Sequence, residues 1–424
     1  MKVYFDTIGC RLNQAEIERL ANQFRKAGHT IIESAQEADM VVINTCAVTA
    51  AAASDSREKA RQANAAGAKQ IVLTGCWATL EPENAADLPG VMRVVTNQHK
   101  EELGSDILGI PLTEFEAEPI IREPLPGIHR RTRAFIKVQD GCDNFCTFCV
   151  TRIARGRGMS VPEDEVIREI NAAVQGGAQE AVLSGVHLGS WGNDWKNGKS
   201  LRDLIQVILD HTKIRRLRLS SLEPWDLEKS FFELWNDPRM CRHLHFPLQS
   251  GSGTVLRRMA RNTTPEKYRE LVSQARSLVP GLAITTDIIA GFPQETDAEF
   301  EESLEFVKEM NFAGGHVFKY SAREGTAAAR LPQRVHGKIA HERSRQMREA
   351  IQQSAKGYAS GFKDQVLEVL WESSAQQADG TWQLHGLTDN YLHAATTLPE
   401  NHWNRVERVR VVSVLDDHLL VRVI

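Results

Sequence analysis

The segment Ala134-Phe135-Ile136-Lys137-Val138-Gln139-Asp140-Gly141-Cys142-Asp143-Asn144-Phe145-Cys146-Thr147-Phe148-Cys149 is the most informative in the chain. Its first part, 134–139, is a short apolar run that reads as a strand. Its second part carries Cys-x3-Cys-x2-Cys, a spacing that lets one compact loop aim three thiolates at a single cluster. Four thiolates close a [4Fe–4S] cluster, whereas three leave one iron open to an outside ligand. The competing reading is a structural zinc site. That needs a fourth ligand close by, and no His or Cys follows Cys149 until His187. The cluster is the better reading.

Outward from this stretch the chain alternates strand-like and helix-like patterns. Further strands are predicted at 180–184, 216–220, 243–247, 283–290 and 316–320, with helices at 162–175, 201–211, 265–278, 297–311 and 337–358. Repeated βα units predict a partial or complete (β/α) barrel, whose working residues lie at the C-terminal ends of its strands. Before it, strands at 2–7, 40–44 and 70–74 alternate with helices at 13–28 and 54–66, which predicts a parallel sheet covered by helices. After it, short strands at 366–371, 382–387, 392–395 and 406–423 predict a small antiparallel β-barrel. The fold class is α/β. The expected domains are 1–118, a Pro- and Glu-rich linker 119–129, a barrel 130–356 and the small C-terminal barrel 357–424.

The N-terminal part holds a second set of cysteines. Cys10, Cys46 and Cys76 each follow a predicted strand. Parallel strands end on one edge of their sheet, where ligands bind, so these three thiols are candidates for a second cluster. A single such cysteine reads as a small buried apolar residue; three at equivalent strand ends do not. Cys241, the last of the seven cysteines, has no such company. An odd count argues against a disulfide framework.

Bulk properties set outer limits. The 424 residues are 42% hydrophobic and 25% charged, with a formal net charge of −4. That is the composition of an ordinary globular chain. There is no apolar run long enough to span a bilayer and no signal-peptide pattern at the start, so a cytoplasmic location is expected. Basic clusters at 129–133, 152–157, 213–218 and 257–261 permit a surface that tracks phosphates. From Gly357 onward, however, five Lys or Arg face nine Asp or Glu, which is unusual for an RNA-binding module. Arg405, Arg408, Arg410, Tyr391 and Trp403 are its candidate RNA contacts.

The Cys142/Cys146/Cys149 triad resembles the radical S-adenosylmethionine (SAM) superfamily. The segment 285–296, with Ile289 and Gly291, looks like the family's late-strand motif that faces the SAM adenine. Ser184 and Gly185 fall where the family contacts the methionine part of SAM. Phe148, Gln249 and Ser250 are further cofactor-binding candidates, and Glu223 and His187 stand near them in the pattern. Gly9-Cys10-Arg11-Leu12-Asn13-Gln14, Asn44-Thr45-Cys46-Ala47-Val48-Thr49 and Gly75-Cys76-Trp77-Ala78 look like the three cysteine motifs of the methylthiotransferases. Segments 185–189, 218–224, 245–252 and 318–321 are most similar to those acting on N6-threonylcarbamoyladenosine (t6A) in tRNA, and 386–391 resembles the signature of their C-terminal RNA-binding (TRAM) domain.

The resemblance implies replacement of C2–H by C2–S–CH3 on the modified adenosine at tRNA position 37. An aromatic C–H has no acidic proton, so cofactor radical chemistry must open it. It implies two [4Fe–4S] clusters: Cys142, Cys146 and Cys149 hold the one that cleaves SAM to a 5′-deoxyadenosyl radical, and Cys10, Cys46 and Cys76 hold the auxiliary one that delivers sulfur. It also implies two SAM per turnover, a tRNA with an ANN-decoding anticodon loop, an electron donor such as flavodoxin or ferredoxin, and no membrane partner. Arg155 and Arg157 become candidates for binding substrate or SAM carboxylate, and no catalytic side chain is assigned. The loop departs from the family here: after Cys149 it reads Val150-Thr151-Arg152-Ile153-Ala154-Arg155-Gly156, without the usual Pro-aromatic start. The rival readings are a methylthiotransferase for isopentenyladenosine in tRNA, one for a ribosomal-protein aspartate, and a redox-sensing iron–sulfur RNA-binding protein.

Overall fold

The computed structural model describes residues 1–116, 120–127 and 130–424. Residues 117–119, 128 and 129, which fall at the end of the first expected domain, in the expected linker and in the first basic cluster, lie outside the described residues. The chain divides into two compact units: Met1–Asn144 with Cys149–Ser200 and Asp210–Lys213, and Phe145–Phe148 with Leu201–Leu209 and Ile214–Ile424.

The first unit opens with β1 (Lys2–Thr7), α1 (Arg11–Lys26), β2 (Thr30–Ile31), β3 (Met40–Thr45), α2 (Ala50–Ala65) and β4 (Gln70–Gly75). It continues through α3 (Cys76–Leu80), α4 (Pro82–Ala86), β5 (Val91–Val95), α5 (Leu103–Leu108) and α6 (Leu112–Glu116). The five strands form one parallel sheet in the order β2-β1-β3-β4-β5. Its central strand β3, Met-Val-Val-Ile-Asn-Thr, is buried on both faces, as a parallel strand covered by helices must be. Helix α2 begins four residues before its predicted start, because the Thr49 hydroxyl caps it by accepting from the Ala52 N–H at 3.1 Å.

Next in the same unit come β6 (Ala134–Lys137), β7 (Gln139–Asp140), α7 (Thr151–Arg155), β8 (Met159–Ser160), α8 (Glu163–Gln175) and β9 (Glu180–Ser184). β6 and β9 pair in parallel. Helix α1 explains why these strands belong with the N-terminal sheet. One side, with Ile17, Leu20, Ala21 and Phe24, packs on β1 and β3. Ala15, on another side, packs with Phe135 and Val182. A helix clasped on two sides buries polar residues as well: Asn13, Gln14, Glu16, Glu18 and Gln23 are all buried. Arg122, from the expected linker, pairs with Glu18 at 3.0 Å and donates to the carbonyls of Arg131 and Arg133.

The second unit contains α9 (Leu201–His211, grouped here through Leu209), β10 (Arg216–Leu219), β11 (His243–His245), α10 (Gly253–Arg258), α11 (Pro265–Leu278), β12 (Ala283–Ala290), α12 (Asp297–Met310), β13 (Gly314–Lys319) and α13 (Gly337–Ser360). β11, β12 and β13 form a parallel sheet, and β10 runs parallel to the β11 segment through isolated bridges. The last part is a closed barrel of β14 (Val366–Gln376), β15 (Trp382–Thr388), β16 (His393–Leu398), β17 (Val406–Val414) and β18 (Leu419–Val423). Its ladders are antiparallel, except the β16–β18 contact that closes the barrel, which is parallel.

The barrel is fastened by arginines that sequence alone assigns to a basic surface. Arg218 is fully buried and donates to the carbonyls of Thr388 and Asp389. Arg216 donates to the Leu387 carbonyl at 3.2 Å. Tyr391 stacks on His243 at 3.9 Å between ring centroids, with Arg218 over its ring. These groups hold the fold together and are not offered to phosphate. Trp403 likewise donates its indole N–H to the Glu372 carbonyl at 3.0 Å, while Arg405, Arg408 and Arg410 are exposed.

Candidate active site

The N-terminal triad sits where three neighbouring parallel strands end. Cys10 follows β1 through the Gly9 turn, Cys46 is the residue after β3, and Cys76 opens α3 directly after β4. Two glycines let the ends crowd together. Gly9 has φ +99°, and a Cβ there would stand 2.5 Å from Cys46 Sγ. Gly75 has φ +96° and lies against the backbone of Thr45.

The Cys46 thiol feels both of the others. Burial pushes the Cys46 thiol up to about 11, and Cys10 and Cys76 add to that rise. Cys10 keeps an exposed surface, yet burial of its sulfur is the main cause of its raised thiol, with Cys76 contributing and Arg155 opposing. All the cysteines are free thiols. Among the described residues no three His, Cys, Asp or Glu side chains already share a metal-binding geometry. Loading requires the thiols to shed their protons. The donor set of three thiols fits a [4Fe–4S] cluster with one open iron.

A buried polar network lies beneath this triad. Arg155, with a side chain only 2% exposed, pairs with Glu16 at 2.8 Å and Asp140 at 2.9 Å and donates to Asn13 Oδ1 at 2.7 Å. Lys100 reaches Glu16 at 2.6 Å and Asn44 at 3.0 Å, and Lys137 bonds Asp140 at 2.8 Å. Burial works against the Glu16 carboxylate, but Arg155, Lys100 and Lys137 together hold it well below the usual carboxylate range. This overturns one expectation. Arg155 is consumed by protein partners in the interior and is not presented to a substrate carboxylate. Arg157, two residues on, has a side chain 86% exposed beside Asp143 at 3.5 Å and remains accessible.

The second triad lies in the loop after β7. Its ends belong to the first unit, where the Asn144 N–H points at Cys142 Sγ and the Thr151 N–H at Cys149 Sγ, each at 3.4 Å. Burial is the main cause of the raised Cys149 thiol. The middle of the loop, Phe145–Phe148, belongs to the second unit. There Thr147 donates its N–H to the Met259 carbonyl and its hydroxyl to the Arg258 carbonyl, and accepts from the Ala328 N–H. Phe148 packs with Val255, Met259, Phe292 and Ala328.

Sequence reasoning missed the residue that faces Cys146. Arg261 is buried, donates toward Cys146 Sγ at 3.7 Å, and forms a two-pronged pair with Glu223 at 2.9 and 2.5 Å. It also donates to the Pro247 carbonyl, and its guanidinium lies 4.6 Å from the Trp225 ring centroid. Its only sequence signal was membership of a basic cluster.

The remaining candidates sit at strand ends. In the first unit, Ser184 closes β9 with its hydroxyl on the Val182 carbonyl, and Gly185 lies against Gln139. The His187 N–H donates to Gln139 Oε1 at 2.8 Å. In the second unit, Gln249 adopts φ 72° and exchanges backbone bonds with Asp287 and Ile289, while Ser250 is buried beside Ser303. Gly291, after β12, donates its N–H to Glu295, which Arg343 holds.

A family model described as the radical SAM superfamily matches residues 136–307, and one described as uncharacterized protein family UPF0004 matches residues 2–97. A threonylcarbamoyladenosine tRNA methylthiotransferase of Bacillus subtilis is 36% identical, over 97% of this chain and 93% of its own. One of Aquifex aeolicus is 35% identical, over 87% and 92%. A tRNA-2-methylthio-N6-dimethylallyladenosine synthase of Fusobacterium nucleatum is 32% identical over 88% of each chain. Among solved structures, the radical S-adenosylmethionine methyltransferase TsrM from Kitasatospora setae superposes with a TM-score of 0.56 at 14% identity, over 77% of each chain. That likeness shows the fold.

Proposed function

The chain belongs to the methylthiotransferases of the radical SAM superfamily, and from that premise we propose that it inserts a methylthio group at C2 of t6A at position 37 of tRNA. The observation that carries the reading is the coexistence of two separate three-thiol sets, one at the ends of β1, β3 and β4 and one in the loop after β7. A radical generator needs one such set; a sulfur donor needs the second. Relatives named for t6A stand at 33–36% identity, which favours that adenosine over the dimethylallyl one.

Cys142, Cys146 and Cys149 would hold the cluster that binds SAM, and Cys10, Cys46 and Cys76 the auxiliary cluster. When bound, these groups supply one-electron cleavage of SAM and a transferable sulfur. The chain's own residues orient and shield. Arg261 keeps a fixed positive charge beside Cys146, held in place by Glu223. Arg157, the exposed arginine of the loop, would take the carboxylate of the threonyl group, a pairing that guanidinium geometry suits. Phe148, Ser184, Gly185, Gln249, Ser250, Ile289 and Gly291 would be the chain's contacts to SAM. The domains would divide at 118, 130 and 357. The substrate would be a tRNA with an ANN-decoding anticodon loop, the electron donor a flavodoxin or ferredoxin, and the location cytoplasmic; among the described residues no helix is long and apolar enough to cross a membrane.

Mass spectrometry of tRNA nucleosides from cells with and without the gene tests this. Loss of 2-methylthio-t6A with accumulation of t6A is the expected result. An unchanged level refutes the assignment, and loss of the methylthio-isopentenyl nucleoside instead transfers it to the other adenosine.

A further inference from the structure

Helix α7 opens two residues after Cys149 and ends at Arg155. Its last two residues each grip an asparagine that faces a thiol of the N-terminal triad. The Ala154 carbonyl accepts from Asn97 Nδ2 at 2.9 Å, and that same nitrogen stands 3.7 Å from Cys76 Sγ. The Arg155 guanidinium donates to Asn13 Oδ1 at 2.7 Å, the atom that the Cys10 thiol approaches at 3.7 Å. Asn13 Nδ2 donates in turn to the carbonyls of Ile8 at 2.8 Å and Thr45 at 3.1 Å, just ahead of Cys10 and Cys46.

The orientation is not free. Guanidinium has only donors, so Arg155 dictates that the oxygen end of the Asn13 amide faces it. Arg155 is itself locked by Glu16 and Asp140, and Glu16 by Lys100. A buried charge is tolerated only when so paired, and these partners hold the guanidinium in this seat. One short helix thus contacts supports of all three N-terminal cysteines while being tied covalently to the loop of Cys149.

We propose that α7 is a strut that sets the seat of the auxiliary cluster relative to the Cys149 loop, with Arg155, Asn13 and Asn97 as positioning residues. The inference rests on the reading that both triads hold clusters. Asn97 has a second consequence. An N–H aimed at the Cys76 sulfur becomes a hydrogen bond to a thiolate on loading, and such bonds stabilise the reduced cluster.

The test uses the full chain reconstituted with iron and sulfide. In a background with Cys142, Cys146 and Cys149 replaced by Ala, only the auxiliary cluster remains. There Asn97→Ala should move its midpoint potential to more negative values and alter its electron paramagnetic resonance spectrum, and Asn97→Gln should restore part of the shift. With both triads intact, Arg155→Lys keeps the charge but loses the fork, and should change the magnetic coupling between the two reduced clusters. An unchanged midpoint and spectrum in Asn97→Ala, with iron retained, overturns the proposal. Asn97 is only half-buried, so this variant decides the matter if Arg155→Lys does not fold. Failure of the two-cluster reading looks different: the triple-Ala background would then bind no iron at all.

Discussion

Replacing Gly75 by Ala should strip the auxiliary site of iron while leaving the chain folded. Gly75 has φ +96° and ψ −172°, a region that only glycine enters cheaply. Forcing Ala there costs on the order of 1–3 kcal/mol in backbone strain. The added methyl would also stand 2.5 Å from Asn44 Oδ1, 2.6 Å from the Thr45 N and closer still to the Thr45 carbonyl oxygen. Backbone atoms of a central strand cannot swing aside, so overpacking adds about 1–3 kcal/mol. The sum, roughly 2–6 kcal/mol, is smaller than all but the low end of the 5–15 kcal/mol stability of a typical domain, so most molecules stay native. For a body of 150–250 residues it lowers Tm by roughly 5–20 °C.

Relief can come only by parting β3 from β4, and each of those strands delivers a thiol. Gly67→Ala is the control. Gly67 has φ +86° but open space where a Cβ would go, so it carries the left-handed penalty of about 1–2 kcal/mol without the collision. Thermal unfolding and iron content of both variants, after identical reconstitution, are the assay. Gly75→Ala should melt well below Gly67→Ala and hold one cluster in place of two. If it melts with the control and keeps both clusters, the account of how Gly75 seats Cys46 and Cys76 is wrong.

Three other outcomes are expected. Replacing Cys10, Cys46 and Cys76 together by Ala should leave reductive SAM cleavage but abolish methylthio transfer, whereas the same change at Cys142, Cys146 and Cys149 should abolish both; liquid chromatography of 5′-deoxyadenosine and of tRNA nucleosides separates the cases. Arg157→Gln should raise KM several-fold for tRNA carrying t6A and leave KM unchanged for a substrate lacking the threonyl carboxylate, measured by steady-state turnover. Glu169, lining a cavity of about 130 Å³, is raised from 4.5 to about 7 chiefly by burial, with Arg19 and Lys137 opposing and Glu165 and Glu101 reinforcing. The fold favours its neutral form, so its contribution to stability is complete below pH 4.5, declines as pH rises through 7, and is flat above. Glu169→Gln should abolish a decline of at most about 3 kcal/mol, read from urea midpoints at pH 5 and pH 8.

What could be read along the chain was local. Cys-x3-Cys-x2-Cys is a loop-scale pattern, and its three-ligand chemistry is legible without a fold. Strand β12 and helices α9 and α11 lie where hydrophobic periodicity puts them, because that periodicity is what forms them. The second triad was also within reach, since each of its cysteines carries the same local mark, the end of a strand. Partnerships across long chain separations emerge only from packing. Arg155 reads as a surface or substrate arginine until α1 brings Glu16 and Asn13 against it from far away in the chain. Arg218 and Arg261 read as members of basic patches until carbonyls and Glu223 enclose them. Charge in a sequence has no address: whether a guanidinium meets water, phosphate or a buried carboxylate depends on which distant segment folds over it, and that is settled only when the strands and helices have packed.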